Sequence, residues 1–161
     1  MPALERLYRQ AFPDEDLIPL LRDLTVLADG VLQLVAVDEQ GLAGHVAFTT
    51  CGVHGRAEKV ALLGPLAVCP GMQGQGIGSA LVHAGLEHME ASGAMLVLVL
   101  GDPAYYGRFG FEPAVGMRPP YPLPEEWRAA WQSISLGKDG PDLGGVLVVP
   151  APWNRPALWT S

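Results

Sequence analysis

The segment Val68-Cys-Pro-Gly-Met-Gln73-Gly74-Gln75-Gly76-Ile77-Gly78-Ser79 constrains the fold of this chain more than any other. It follows a mostly apolar stretch, Lys59–Val68, that reads as a strand. It opens a stretch, Ile77–Ala91, whose apolar positions Ile77, Leu81, Ala84 and Met89 fall close to one helical stripe. A strand that runs into glycines and on into a helix brings backbone N–H groups together where side chains are absent, and the helix dipole adds positive potential there. Such a turn suits a phosphate or pyrophosphate, whose oxygens approach the backbone too closely for a Cβ. A mononucleotide P-loop is excluded, because no Gly-Lys-Ser or Gly-Lys-Thr follows. The dinucleotide fingerprint fails as well: Leu81 stands at the third glycine position, and no acidic residue caps the next strand, Ala94–Leu100. A plainer reading stays open at this point, in which the glycines merely let the helix pack closely on a sheet.

Elsewhere the chain is regularly punctuated. Leu4–Phe12 and Asp14–Leu27 read as helices broken by Pro13. Val31–Asp38 and Leu42–Val53, joined by Glu39-Gln40-Gly41, read as a hairpin. Gly64-Pro65 predicts a bend within Lys59–Val68, since glycine weakens a ladder and proline cannot donate to it. The strand–helix–strand order from Lys59 to Leu100 predicts a parallel crossover unit in a mixed sheet. Asp102-Pro103 is an N-cap with proline at the first helical position, so a short helix is expected over Pro103–Arg108, followed by a short strand, Phe109–Pro113. Beyond Pro119, Pro120, Pro122 and Pro124 come an expected short helix, Glu125–Gln132, and a last strand, Gly144–Val149. The tail, with Trp153 and Trp159, is expected to pack across the body. No repeat or linker is visible, so one domain over residues 1–161 is expected.

Composition narrows the function. The 161 residues are 49% apolar and 17% charged, enough for a globular core. No stretch reaches the roughly 20 apolar residues of a membrane span. The N-terminus lacks a signal peptide's apolar segment, so a cytoplasmic location is expected. The net charge is −7 and the basic residues are scattered, which argues against nucleic acid and suits a cationic small molecule. Cys51 and Cys69, with His45, His54, His83 and His88, make no metal spacing, so neither a metal nor a structural disulfide is expected.

The pattern Gln73-x-x-Gly76-x-Gly78, between a bent strand and a helix, resembles the acetyl-CoA signature of the GNAT superfamily of N-acetyltransferases. Tyr106-Gly-Arg-Phe-Gly110-Phe111 is similar to that family's tyrosine-x-x-x-glycine-phenylalanine element. The longer string Gly101-Asp-Pro-Ala-Tyr-Tyr-Gly-Arg-Phe-Gly-Phe is similar to a bacterial subgroup of predicted acetyltransferases. The likeness spans roughly Val31–Pro113. It implies an α/β fold of mixed α+β character: a central mixed, mostly antiparallel sheet flanked by helices, with a splayed parallel pair at Lys59–Val68 and Ala94–Leu100. It also implies acetyl-CoA as co-substrate, without a metal. The pantetheine arm would enter the splay beside Leu66, Ala67 and Val68, and the pyrophosphate would rest on the amides of Gln73, Gly74, Gln75, Gly76, Ile77, Gly78 and Ser79. The Val68 N–H is the implied oxyanion donor. Tyr106 is the implied acid for the departing thiolate and borders the cofactor; a phenol of pKa about 10 is a reasonable match for a thiolate of about 8.5. Tyr105 takes its place if the register is off by one. The general base stays unassigned among Glu58, His54 and a water chain. Asp102 reads as a helix cap and Cys69 as packing.

The resemblance leaves departures. The superfamily usually places a strand before the first helix. Here a helix begins almost at Met1, so either that strand is absent or the tail Gly144–Trp159 compensates at the sheet edge. Residues 117–161 are expected to form a C-terminal extension on the substrate side, with Tyr121, Trp127 and Trp131 either walling the acceptor pocket or packing as a cap. The expected activity is direct acetyl transfer to an amine of a small molecule or peptide. A homodimer is expected on the resemblance alone. The rival readings are a non-catalytic acyl-CoA-binding or sensing domain and a nucleotide-binding regulator.

Overall fold

Two short helices open the chain and lie on one face of a sheet. The computed structural model describes residues 2–136 and 143–160; residues 137–142 of the expected extension lie outside them. Helix α1 (Pro2–Ala11) buries Leu7 and Tyr8, and α2 (Ile18–Leu27) buries Ile18, Leu20, Leu21 and Leu24. Helix α2 begins four residues later than Asp14, where the sequence placed its start. A proline stands in its first turn, and the Ile18 N–H donates to Asp16 Oδ1 at 3.3 Å. The acidic run Asp14–Asp16 is therefore a connecting loop.

The strands are β1 (Val31–Asp38), β2 (Gly41–Val53), β3 (Lys59–Val68), β4 (Leu96–Leu100), β5 (Glu112–Pro113), β6 (Met117–Arg118), β7 (Trp131–Ser135) and β8 (Gly145–Val148). They form one sheet in the order β5-β7-β4-β3-β2-β8-β6, with β1 also on β2. Pairing is antiparallel except for β3 with β4 and β6 with β8. The expected hairpin and parallel crossover are both present. Strand β1 pairs with β2 as far as Thr49, and β8 takes up Gly52 and Val53, so the tail completes that edge of the sheet.

Helix α3 (Ile77–Ala91) packs on the face opposite α1 and α2. Its Leu81, Val82 and Leu86 meet Val46, Phe48, Leu63 and Val97. Contact is close at Gly85, where a Cβ would collide with the Phe48 ring, and at Gly44, where one would come within 2.9 Å of Ile77. On the other face Val60, Leu62, Leu98 and Leu147 pack with Trp131 and Trp159.

The expected helix at Glu125–Gln132 is instead a 3-10 turn over Glu125–Ala130, followed by β7, which inserts between β4 and β5. Strand β7 is covered on both faces, Trp131 on one and Ile134 on the other, so its sequence lacks the alternation that marks a half-exposed strand. The expected strand at Phe109–Pro113 shortens to β5, because residues 107–109 continue the turn after α4 (Pro103–Tyr106). The tail packs as expected: Trp153 Nε1 donates to Thr49 Oγ1 at 3.1 Å, and Trp159, in α5 (Ala157–Thr160), donates to the Trp153 carbonyl at 3.0 Å.

Candidate active site

The site grows from a parting of two strands. β3 and β4 pair only over Ala61–Leu63 and Val97–Val99, and the ladder stops where Gly64-Pro65 enters β3. Beyond that point β3 continues along β2, with Leu66, Ala67 and Val68 opposite Val46, His45 and Gly44. The Cys69 N–H donates to the Ala43 carbonyl at 2.8 Å. Because N–H directions alternate along a strand, the Val68 and Leu66 N–H groups point away from β2, into the gap that β4 leaves.

At the end of β3 the glycine turn delivers the chain into α3. Gly74 and Gly76 adopt φ of 81° and 83°, a region open to glycine at little cost. A Cβ at either would meet nothing within 4 Å. The glycines that permit close packing are Gly44 and Gly85, outside the turn, and Gly78 within it, so the plainer reading accounts for Gly78 but not for Gly74 and Gly76. Gly76 caps α3 with no side-chain hydrogen bond, and the first helical donation in this turn is Ala80 N–H to the Gly76 carbonyl at 3.0 Å. The amides of Ile77, Gly78 and Ser79 thus face outward at the positive end of a 15-residue helix. Gln73 ties the turn to the strand, its Nε2 donating to the Val68 carbonyl at 3.3 Å.

Two cavities meet at this point. The smaller, about 380 Å³, is lined by Leu66, Ala67, Val68, Gln73, Gly74, Gly76, Ile77, Gly78 and Ser79, with Phe12, Tyr105 and Arg108 across from them. Of the residues expected in this cradle only Gln75 does not line it. The larger, about 960 Å³, occupies the strand gap and is bordered by Leu66, Tyr105, Tyr106, Trp127, Trp153 and Trp159 among others. Tyr106 borders the larger cavity and Tyr105 borders both. Among the described residues, none in either lining is basic except Arg108.

Helix α4 positions the tyrosines. Asp102 Oδ1 accepts from the Ala104 N–H at 3.0 Å, the capping role read from sequence. The Tyr106 ring lies against Gly101, where a Cβ would collide with it, and packs edge-on to Phe111 with centroids 5.7 Å apart. Burial, followed by the neighbouring Tyr105 and Asp102, raises the Tyr106 phenol above its ordinary value, so it remains protonated. Its hydroxyl makes no hydrogen bond among the described residues. The Tyr105 hydroxyl lies over Gly78, where a Cβ would strike it. Arg108, three residues on, holds its guanidinium 4.4 Å from the Tyr105 ring centroid and donates from Nε to the Tyr105 carbonyl at 3.2 Å.

Several candidates lie elsewhere. Glu58 is bound through both oxygens by Arg56, at 3.1 and 2.8 Å, which holds its carboxyl down at about 2. Neither Glu58 nor His54 borders either of these cavities. Cys69 packs among Leu7, Tyr8 and Leu21. Of the three aromatics weighed as pocket walls only Trp127 borders the larger cavity. Trp131 is buried and donates to the Met117 carbonyl at 2.8 Å, and the Tyr121 hydroxyl donates to Asn154 Oδ1 at 2.7 Å. Sequence reasoning missed Arg108, Trp153 and Trp159. The i,i+3 spacing of Tyr105 and Arg108 was a usable signal, whereas nothing local marked the tail tryptophans. Among the described residues no three His, Cys, Asp or Glu side chains gather as a metal would need, and no helix is long and apolar enough to cross a membrane.

Residues 1–111 match the family model described as the acetyltransferase (GNAT) family. Over 110 residues the chain is 42% identical to YjhQ, an uncharacterized N-acetyltransferase of Escherichia coli; the match covers 65% of this chain and 61% of YjhQ. Over 112 residues it is 39% identical to YhbS, another uncharacterized N-acetyltransferase of that organism, covering 69% of this chain and 67% of YhbS. The crystal structure of E. coli YhbS in complex with CoA superposes with a TM-score of 0.85 at 34% identity, over 96% of this chain and 86% of that one. A GNAT family acetyltransferase from Brucella melitensis in complex with acetyl-CoA gives 0.74 at 27% identity, over 93% and 89%.

Proposed function

We propose, from the premise that this chain belongs to the acetyltransferase (GNAT) family, that it moves an acetyl group from acetyl-CoA directly to an amine of an acceptor molecule. The observation that carries this reading is the junction of an open strand edge, an uncapped helix and an unbonded phenol at one point. Acetyl-CoA supplies the acyl group as an activated thioester. The Leu66 and Val68 N–H groups, unpaired by β4, suit the amide-bearing arm of such a molecule. The outward amides of residues 77–79 and the open positive-φ glycines suit its pyrophosphate. Arg108 adds the only positive side chain that the described residues bring to the lining and meets a cofactor phosphate.

The chain's own groups then divide the chemistry. The Val68 N–H donates to the carbonyl oxygen as charge develops on it. Tyr106, protonated and bordering the gap, donates its proton to the sulfur as it departs, and the proton that the acceptor amine loses to water restores the phenol. The larger cavity admits the acceptor amine. Residues 1–161 act as one catalytic domain, with residues 117–161 contributing Trp127, Trp153 and Trp159 on the acceptor side. The YhbS and Brucella structures, which hold CoA and acetyl-CoA, support the cofactor assignment.

The test is release of free thiol from acetyl-CoA in the presence of a panel of amines. Wild-type protein is expected to release thiol in an amine-dependent manner, and Tyr106→Phe to lower kcat by about 10²- to 10⁴-fold. Absence of amine-dependent release across the panel, from folded protein that binds acetyl-CoA, would leave a binding domain without transfer.

A further inference from the structure

The walls of the larger cavity differ sharply from its rim. The walls are aromatic and aliphatic, with Trp127, Trp153 and Trp159 prominent. The rim carries four carboxylates: Asp14, Glu15 and Asp16 from the loop before α2, and Asp102 from the cap of α4. No lysine, arginine or histidine lines this cavity, and none of the four carboxylates has an ion-pair partner among the described residues. Asp16 and Asp102 each accept one backbone N–H through a single oxygen, which fixes their direction and leaves a second oxygen unbonded among the described residues. The Tyr106 hydroxyl, which also lines this cavity, has no hydrogen-bond partner among the described residues, on a side chain otherwise packed against Gly101, Tyr105 and Phe111.

Resting on the transferase reading, we propose that the acceptor is a small diamine or polyamine: one amine reaches the Tyr106 end of the cavity, a hydrocarbon or aromatic body lies against the tryptophans, and a second, protonated nitrogen sits at the carboxylate rim. Four features select this class. Four carboxylates, none in a direct ion pair among the described residues and only Asp16 in the field of a cation, Arg22, attract an ammonium group and repel an anionic one, so a free amino acid, whose carboxylate adjoins its amine, is disfavoured. Tryptophan faces add cation–π and apolar contact to the body of such a ligand. A volume of about 960 Å³ fits a small molecule. The floor at Gly64-Pro65 lacks an N–H at Pro65 to pair with an extended peptide.

Thiol-release kinetics with an α,ω-diaminoalkane, the length-matched monoaminoalkane, a free amino acid and a basic peptide test this. Binding of the first two without acetyl-CoA is followed in parallel by quenching of tryptophan fluorescence. The diamine is expected to exceed the monoamine by about tenfold or more in kcat/KM and in affinity, as a charge contact of about 1.4 kcal/mol would give. In the isosteric double variant Asp14→Asn/Glu15→Gln the preference is expected to shrink several-fold, with acetyl-CoA affinity unchanged. Preferential diamine binding without thiol release would uphold the acceptor class and sink the transferase reading. Equal or better use of the monoamine, the amino acid or the peptide would overturn the acceptor class and leave the transferase reading standing. Failure of the diamine both to bind and to react, in protein that binds acetyl-CoA, would overturn it too.

Discussion

Tyr106 illustrates how far a single residue can be read before its surroundings are known. The motif marks the position, and the chemistry of a phenol suggests proton donation. Only the fold shows that burial raises the group, chiefly by removing solvent from the charged form. The shift favours the protonated, donor-competent form and makes donation itself less downhill. The expected consequence is a kcat profile that does not decline through loss of this proton between neutral pH and about pH 9, since even a free phenol titrates near 10. In Tyr106→Phe the same profile is expected at a much lower level; an alkaline limb near pH 8 that disappears in the variant would contradict the role. Arg108 offered no motif of its own, only its i,i+3 spacing from Tyr105. It is one of ten scattered basic residues, and its place beside the glycine turn depends on how α4 folds back over α3.

At the level of elements, the strand–turn–helix unit from Lys59 to Ala91 was readable because each signal was local: an apolar run, a glycine cluster, a helical stripe. Strand β7 was not, because Trp131–Ser135 is buried by partners far away in sequence and carries no alternation of its own. The start of α2 falls later than Asp14 for a related reason: Leu17 caps the helix without a side-chain hydrogen bond, while Asp16 Oδ1 accepts from the Ile18 N–H, an arrangement no local pattern marks. The contact between α3 and β2 permits a sharp check. Gly85→Ala puts a methyl group into the Phe48 ring in the centre of the helix face, and overpacking of that kind costs about 1–3 kcal/mol despite the better helix propensity of alanine. Urea unfolding is expected to show a lower midpoint for the variant. A midpoint equal to or above wild type would mean that the face is looser than described.

At the scale of the whole molecule, a buried polar chain joins elements distant in sequence. The Tyr8 O–H donates to His45 Nδ1 at 2.8 Å, and His45 Nε2–H donates to Gln33 Oε1 at 2.8 Å, linking α1, β2 and β1. The amide oxygen of Gln33 can only accept, so Nε2 carries a proton, and it is burial, disfavouring the charged ring, that leaves Nδ1 free to accept from Tyr8 at neutral pH. Burial lowers the His45 pKa to about 4. The folded value lies below the unfolded one, so the unfolded chain binds more protons between the two, and stability falls as pH drops from about 6.5 towards 4. At about 1.4 kcal/mol per unit this amounts to about 3 kcal/mol. Urea unfolding at pH 7 and pH 4 is expected to show this loss in wild type and a shallower dependence in His45→Leu, whereas equal slopes would mean that the ring is not held neutral. No periodicity predicted this chain of contacts, because each partner is an ordinary polar residue until the helices dock.

The same scale holds the central claim, that the glycine turn, the open edge of β3 and the two cavities together form an acetyl-CoA site. Calorimetric titration of wild type and Gly76→Glu with acetyl-CoA tests it most directly. Gly76 is at φ 83° with open space before it, so glutamate strains the backbone and puts a carboxylate at the proposed pyrophosphate site, without a packing clash. The account predicts micromolar binding by wild type and its loss in a variant that remains folded. Undiminished binding by Gly76→Glu, or none by folded wild type, would contradict it.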